Sequence, residues 1–277
     1  MKNKVLITGA GGYIGRHVTK AFLDAGFEVV ASDINKKGID ERASFCNEPL
    51  FSGAPNIYER MGKPDFLVHL AWRDGFIHDS SAHMQDLSSH VTFLQNMIEG
   101  GAANITVMGS MHEVGYWEGA ITEETPCMPL SQYGVAKNAL RQSLLLFTRN
   151  KNVAVHWLRA YYIYGDDSRG SSIFAKILQA AEDGKKTFPF TTGKNQYDFI
   201  HVKDLAQQIL KVAIQTNVCG IINVCTGKPV SLAEQVESYI KNNDLDIRLE
   251  YGAYPDRPYD SPAVWGDPTK IQQILKG

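Results

Sequence analysis

The spacing of apolar positions changes repeatedly along the chain, and each change marks an element. "KVLIT" from Lys4 is a short continuous apolar run, as a strand buried on both faces shows, and "YIGRHVTKAFLDAG" then carries apolar residues at helical spacing until Gly26. "FEVVASD" returns to a strand with Asp33 at its end, and "DFLVHLAW", "NITVMGS" and "VAVHWLRAYYIYG" are three further strand-like runs. Between them lie the helical segments "HMQDLSSHVTFLQNMIEG" and "YGVAKNALRQSLLLFTRN". Strands alternating with helices predict right-handed βαβ crossovers and an α/β fold, a Rossmann-type doubly wound parallel sheet covered on both faces. Between Asp33 and Pro64 the pattern is weakest, and "ASFCNE" is read as the third strand.

Past Gly165 the pattern loosens into a helix, "SIFAKILQAAEDG", and a loop rich in Gly, Thr and Pro. "NVCGIINVCTG" reads as another strand, and "SLAEQVESYIKNN" as a helix opened by Ser231 with Glu234 three residues on. Asp267-Pro268 starts a last short helix after a proline-rich stretch. The expected division is a dinucleotide-binding domain over 1–165, completed by about 197–226, with 166–196 and 227–277 forming a small C-terminal substrate-binding lobe.

Composition narrows the classes. A chain of 277 residues, 44% hydrophobic and 21% charged, buries a sizeable core, and a net charge of −2 excludes non-specific attraction to nucleic acid or an anionic membrane. The N-terminus runs from lysines straight into a strand without a signal peptide's apolar stretch, and no run approaches the roughly 18 apolar residues of a membrane span. Four cysteines without CxxC pairing fit thiols in a reducing cytoplasm.

The chemistry starts at "TGAGGYIG", residues 8–15. A glycine-rich turn between a strand and a helix brings backbone N–H groups and a helix N-terminus to a diphosphate, where any Cβ would hold the ligand away. Asp33 follows Gly15 at the distance where a carboxylate accepts from a ribose 2′-hydroxyl and repels a 2′-phosphate, which points to NAD; Lys36 and Lys37 leave NADP open. In "SQYGVAK" Tyr133 and Lys137 share a helix face at i, i+4, so an ammonium can sit near a phenol and lower its pKa from about 10. Ser110, ending "NITVMGS", is placed to hold a substrate oxygen, and Ser110, Tyr133 and Lys137 form a catalytic set for proton and hydride transfer. His78, His83 and His90 lack a zinc spacing and are assigned to solvent or substrate-loop positions, with no metal site expected.

From Lys4 to about Lys270 the chain resembles the extended short-chain dehydrogenase/reductases, in their nucleotide-sugar epimerase, dehydratase and 4-keto reductase branch. "TGAGGYIG" resembles the TGxxGxxG turn, "HLAW" the HLAA strand end, "GSMHEVG" the SSxxVYG segment, "LRAYYIYGD" the LRxxNVYGP segment, "QYDFIHVKDLA" the RDFVxVxDxA segment and "DRPYDSP" the RPGD-type segment. The resemblance implies cofactor contacts from Gly9, Gly11, Gly12, Tyr13, Ile14, Gly15, Asp33, Ile34, Leu70, Ala71, Tyr133, Lys137 and Tyr161. It implies substrate contacts from Ser110, Met111, His112, Tyr162, Phe188, Tyr197 and Arg257, with Arg257 on the nucleotide diphosphate. Three positions depart from the pattern: Gly109 replaces the first serine, Tyr162 an asparagine, and Tyr197 an arginine.

The implied activity is hydride transfer between a nicotinamide cofactor and C4 of a nucleoside diphosphate sugar, reducing a 4-keto-6-deoxyhexose. A 4-epimerase with bound NAD is the alternative, and a non-catalytic dinucleotide sensor a remote third, since Ser, Tyr and Lys are all present. The family also implies a homodimer through "HMQDLSSHVTFLQNMI" and "YGVAKNALRQSLLLF".

Overall fold

The computed structural model describes residues 3–165, 172–256 and 260–277. In chain order the strands are β1 Lys4–Thr8, β2 Glu28–Ser32, β3 Ser44–Cys46, β4 Phe66–His69, β5 Asn104–Ser110, β6 Gly119–Ile121, β7 Ala154–Ala160 and β8 Tyr162–Tyr164. They continue with β9 Thr187–Pro189, β10 Gln196–His201, β11 Gly220–Val224, β12 Pro229–Ser231, β13 Arg248–Glu250 and β14 Ala263–Gly266. The helices are α1 Gly15–Asp24, α2 Ile57–Arg60, α3 Ala82–Gly100, α4 Gln132–Thr148, α5 Ile173–Glu182, α6 Val202–Ala213, α7 Leu232–Asn242 and α8 Thr269–Lys276. No helix among the described residues is long and apolar enough to cross a membrane.

Seven strands form one parallel sheet in the order β11-β7-β5-β4-β1-β2-β3. The strand read from "ASFCNE" is its edge, β3. The chain winds one way from β1 to β3 and the other way from β4, so a crevice opens between the carboxyl ends of β1 and β4, where ligands of such sheets bind. Alternate residues of β1 enter different cores. Val5 and Ile7 pack with Val18 and Phe22 of α1 and Leu205 and Ile209 of α6. Leu6 packs with Leu94 and Met97 of α3 and Leu140 and Leu144 of α4. This period of two between two helical layers explains why the strands are apolar throughout.

"VAVHWLRAYYIYG" is two strands, not one: β7 lies in the main sheet, and β8 leaves it to pair with β10 in a five-stranded sheet containing β12, β14 and β6. Residues 197–226, expected to complete the dinucleotide-binding part, divide between the layers. β10 belongs to the second sheet, while α6 packs on α1 and β11 adds to the main sheet edge.

Candidate active site

The turn after β1 closes tightly. Gly9 has φ +69°, and a Cβ there would lie 2.8 Å from the Ala71 backbone; one on Gly15 would lie 1.9 Å from the Gly9 carbonyl oxygen. Only glycine fits either place. Helix α1 starts with no side-chain cap and no acidic residue in its first turn, leaving its positive end to an outside anion. The glycine cradle and this uncapped end fit a dinucleotide's diphosphate. Asp33 accepts from the Gly11 N–H at 2.8 Å and the Ile34 N–H at 2.7 Å, so its carboxylate also braces the turn. Ile34 beside it is 94% exposed. Leu70 and Ala71 follow β4 on the opposite wall, and the Tyr13 hydroxyl donates to the Gly165 carbonyl, tying the turn to the end of β8.

Ser110 ends β5 and starts a single helical turn. Its Oγ accepts from the His112 N–H at 3.3 Å, and its own N–H donates to Glu113 Oε1 at 2.7 Å. Glu113 is fully buried, and Trp157 Nε1 donates to both of its oxygens at 2.9 and 3.0 Å. Arg141 Nε stands 3.4 Å and Arg159 Nε 3.5 Å from Glu113 Oε2, while Arg159 also donates to the Thr122 carbonyl at 2.9 Å. Burial pushes the Glu113 carboxyl up, opposed by Arg159, the Ser110 N–H, Trp157 and Arg141. Gly109 thereby acquires a reason: a Cβ there would lie 2.2 Å from Trp157 Nε1 and 2.5 Å from Glu113 Oε1. The usual serine's place is taken by this cluster.

Tyr133 enters on the first turn of α4, whose N–H groups are held from two sides: Ser131 Oγ accepts from Gly134, and the His78 carbonyl accepts from Tyr133 at 2.8 Å. Lys137, one turn on, is buried at 3% exposure, with Nζ 5.8 Å from the Tyr133 ring centre and donating to the Met108 carbonyl at 2.7 Å. The shared face is realised, but the lowered phenol pKa is not. Desolvation pushes Tyr133 up to about 12, opposed by a hydrogen bond from Ser110, and burial pulls Lys137 down to about 7, opposed by Glu113. With both groups out of water, burial is the largest cause of each shift.

His83 and His90 are neither solvent nor loop positions, each being 1% exposed on α3. His78 is a loop position, half-buried before α3, and stacks on Tyr133 at 5.2 Å with its ring within 9° of parallel. His112 meets His78 edge-on at 4.4 Å, and burial lowers its pKa to about 4. Trp72, ending "HLAW", places its ring 3.7 Å under Lys137 Nζ. Trp72, Glu113 and Trp157 have no role in the sequence pattern, and for His83 and His90 that pattern gives the wrong place. Two signals for them existed: Glu113 follows Ser110 in a capping-box spacing, and His83 and His90 are a heptad apart on one helix face.

Among the residues expected to contact substrate, Met111 is buried and His112 half-buried beside Ser110. The two tyrosine departures meet each other: Tyr162 on β8 stacks on Tyr197 on β10 at 4.2 Å and 26°. Tyr161 is buried, its hydroxyl donating to Asn223 Oδ1 at 3.0 Å. Phe188 lies on β9, packed against the larger core. Arg257 lies outside the described residues.

A family model described as "NAD dependent epimerase/dehydratase family" matches residues 5–225. The chain is 42% identical over 269 residues to a dTDP-6-deoxy-L-talose 4-dehydrogenase (NAD(+)) of Aggregatibacter actinomycetemcomitans, covering 95% of this chain and 98% of that one. It is 26% identical to a putative UDP-arabinose 4-epimerase of Arabidopsis thaliana, covering 98% of this chain and 71% of that one. A UDP-N-acetylglucosamine 4-epimerase of Methanobrevibacter ruminantium M1 shares the fold, with TM-score 0.85 and 20% identity over 99% of this chain and 92% of that one. With the turn, the strand-end serine and the tyrosine–lysine helix in one crevice, these matches establish that the chain belongs to the NAD-dependent epimerase/dehydratase family.

Proposed function

We propose that the protein is an NAD-dependent oxidoreductase acting at C4 of a nucleoside diphosphate sugar, interconverting the 4-keto and 4-hydroxy forms of a 6-deoxyhexose nucleotide. The observation that carries this reading is the near full-length likeness to the talose dehydrogenase in a chain that keeps Ser110, Tyr133 and Lys137 together. Gly9, Gly11, Gly12, Tyr13, Ile14 and Gly15 would hold the cofactor diphosphate, Asp33 and Ile34 its adenosine end, and Leu70, Ala71, Lys137 and Tyr161 its nicotinamide end. NAD, when bound, supplies the hydride couple. Tyr133 gives a proton to the C4 oxygen during reduction and takes it back during oxidation, and Ser110 orients that oxygen by hydrogen bonding. Met111, His112, Tyr162, Phe188, Tyr197 and Arg257 face the sugar nucleotide in this reading.

Tyr133→Phe tests it. Turnover should fall on the order of 10²–10⁴-fold while the NAD dissociation constant stays within about twofold; unchanged turnover overturns the assignment. Assaying dTDP- and UDP-linked 4-keto sugars with NADH and NADPH identifies the substrate, and the Asp33 carboxylate should make NADH the better donor. The likeness to UDP-arabinose 4-epimerases supports a second reading, 4-epimerisation, which would show as sugar inversion without net NADH consumption and as cofactor retained through purification. The reading extends to a cytoplasmic enzyme, supported by four free thiols, and to a homodimer through α3 and α4, where Met84, Val135 and Leu146 are exposed. Light scattering of the purified protein checks the dimer.

A further inference from the structure

Lys137 is a buried cation whose contacts are unusual for one. Among the described residues it forms no ion pair; Nζ donates to the Met108 carbonyl at 2.7 Å and sits 3.7 Å from the centre of the Trp72 ring. The Glu113 carboxylate favours its charge from a distance but is already engaged by Arg159 and Arg141. Trp72 is itself fixed in place. Its Nε1–H donates to His83 Nδ1 at 3.0 Å, and because an indole nitrogen can only donate, His83 carries its proton on Nε2, which donates to the Ile77 carbonyl at 2.9 Å. The Trp72 ring also stacks on His90 at 4.4 Å and 22°. His90 Nδ1 shares one proton with His69 Nε2 at 2.9 Å, and His69 Nδ1 bonds the Thr8 hydroxyl at 2.8 Å. A hydrogen bond between two imidazole nitrogens needs one of them bare, so at most one of the two rings can carry a charge. Burial and Lys137 itself both hold His90 down, to about 3, and burial holds His69 well below its ordinary value.

We infer that Trp72 is a positioning residue: its π face holds the Lys137 ammonium charged and in place beside Tyr133, and neutral His83 and His90 hold that face. The inference rests on the reading of Tyr133 and Lys137 as the proton-transfer pair. An aromatic quadrupole stabilises a desolvated cation without the proton sink that a carboxylate partner would create. The remaining titratable group facing Lys137 is the Tyr133 phenol, whose ionised form the ammonium supports. Weakening the π face therefore lowers the lysine's proton affinity and raises the tyrosine's, two shifts of opposite sign that loosened packing alone does not produce.

Three versions of position 72 test this in the intact protein: Trp72→Phe, Trp72→Leu, and tryptophan replaced by a trifluorinated tryptophan of nearly the same shape and weaker π face. Calorimetric NADH affinity against pH, with no sugar nucleotide present, should show a step in the wild type that is absent in Lys137→Met. In Trp72→Leu that step should move down by about 0.5–1.5 pH units, and the limb of the oxidation rate set by Tyr133 should move up by a similar amount. Trp72→Phe should fall between, and the fluorinated protein, which keeps the packing even if Trp72→Leu does not fold, should shift the same way. A step at the wild-type pH in Trp72→Leu or in the fluorinated protein overturns the inference, as does a shift in Trp72→Phe equal to that in Trp72→Leu. If no nucleotide sugar is turned over, the proposed function fails, whereas the affinity step still decides the role of Trp72.

Discussion

The two sides of the site handle buried charge in opposite ways. Beneath Ser110 the Glu113 carboxylate meets two guanidiniums, an indole N–H and a backbone N–H. Beside Tyr133 the Lys137 ammonium has a carbonyl and a ring face and, among the described residues, no ion pair with a carboxylate. The paired side is an anchor: one buried carboxylate gathers two cations and two N–H donors, and the serine inherits its rigidity. The other side leaves its proton loosely held, which suits the role that the proposed function gives Lys137, support of a neighbouring phenol's ionisation. Breaking the anchor should have the largest effect. Glu113→Ala leaves Arg159 fully buried without its counterion and should cost about 3–5 kcal/mol in a urea unfolding experiment. Glu113→Gln, which keeps one acceptor for Trp157 or Ser110, should cost less.

Much of the scaffold was legible because its signals are local. The apolar runs match β1 and β5 to the residue and β2 to within one, while "DFLVHLAW" overruns the end of β4 by three; the glycine turn and Tyr133–Lys137 spacing mark backbone requirements that a short segment carries by itself. What stayed hidden depends on partners distant in the chain. Gly109 looked like a lost serine until Trp157 and Glu113 were seen to fill the space. The end of β7 was invisible because Tyr161 and Tyr162 continue the apolar run while the backbone changes sheets. No spacing rule links Trp72 to Lys137, although each belongs to a readable segment.

The dependence of Gly109 on the anchor is itself testable. Gly109→Ser should displace Trp157 or Glu113 and cost about 1–3 kcal/mol, with a fall in turnover because the adjacent Ser110 moves too. On the unpaired side the sign reverses. Lys137→Met removes a desolvated charge, and after the Met108 carbonyl loses its donor the fold should still gain on the order of 1–2 kcal/mol at pH 7 while activity is lost. The folded lysine titrates near 7 and the unfolded one near 10.5, so between those values the unfolded chain binds more protons and wild-type stability rises with pH. The stability gap between Lys137→Met and wild type should therefore be widest below pH 7 and close toward pH 10, as read from unfolding midpoints across that range.

A neutral pair on the substrate side supplies the smallest effect on this scale. Tyr162 and Tyr197 each depart from the family pattern, where an asparagine and an arginine are usual, and they stack on one another across β8 and β10. Two positions that are polar in the family pattern here share one aromatic contact. Tyr162→Leu and Tyr197→Leu retain apolar bulk and remove the stacked face. In a double-mutant cycle their coupling should be about 0.5–1.5 kcal/mol, well below the loss from Glu113→Ala. Additive single-variant losses would mean that the rings are neighbours without energetic dependence.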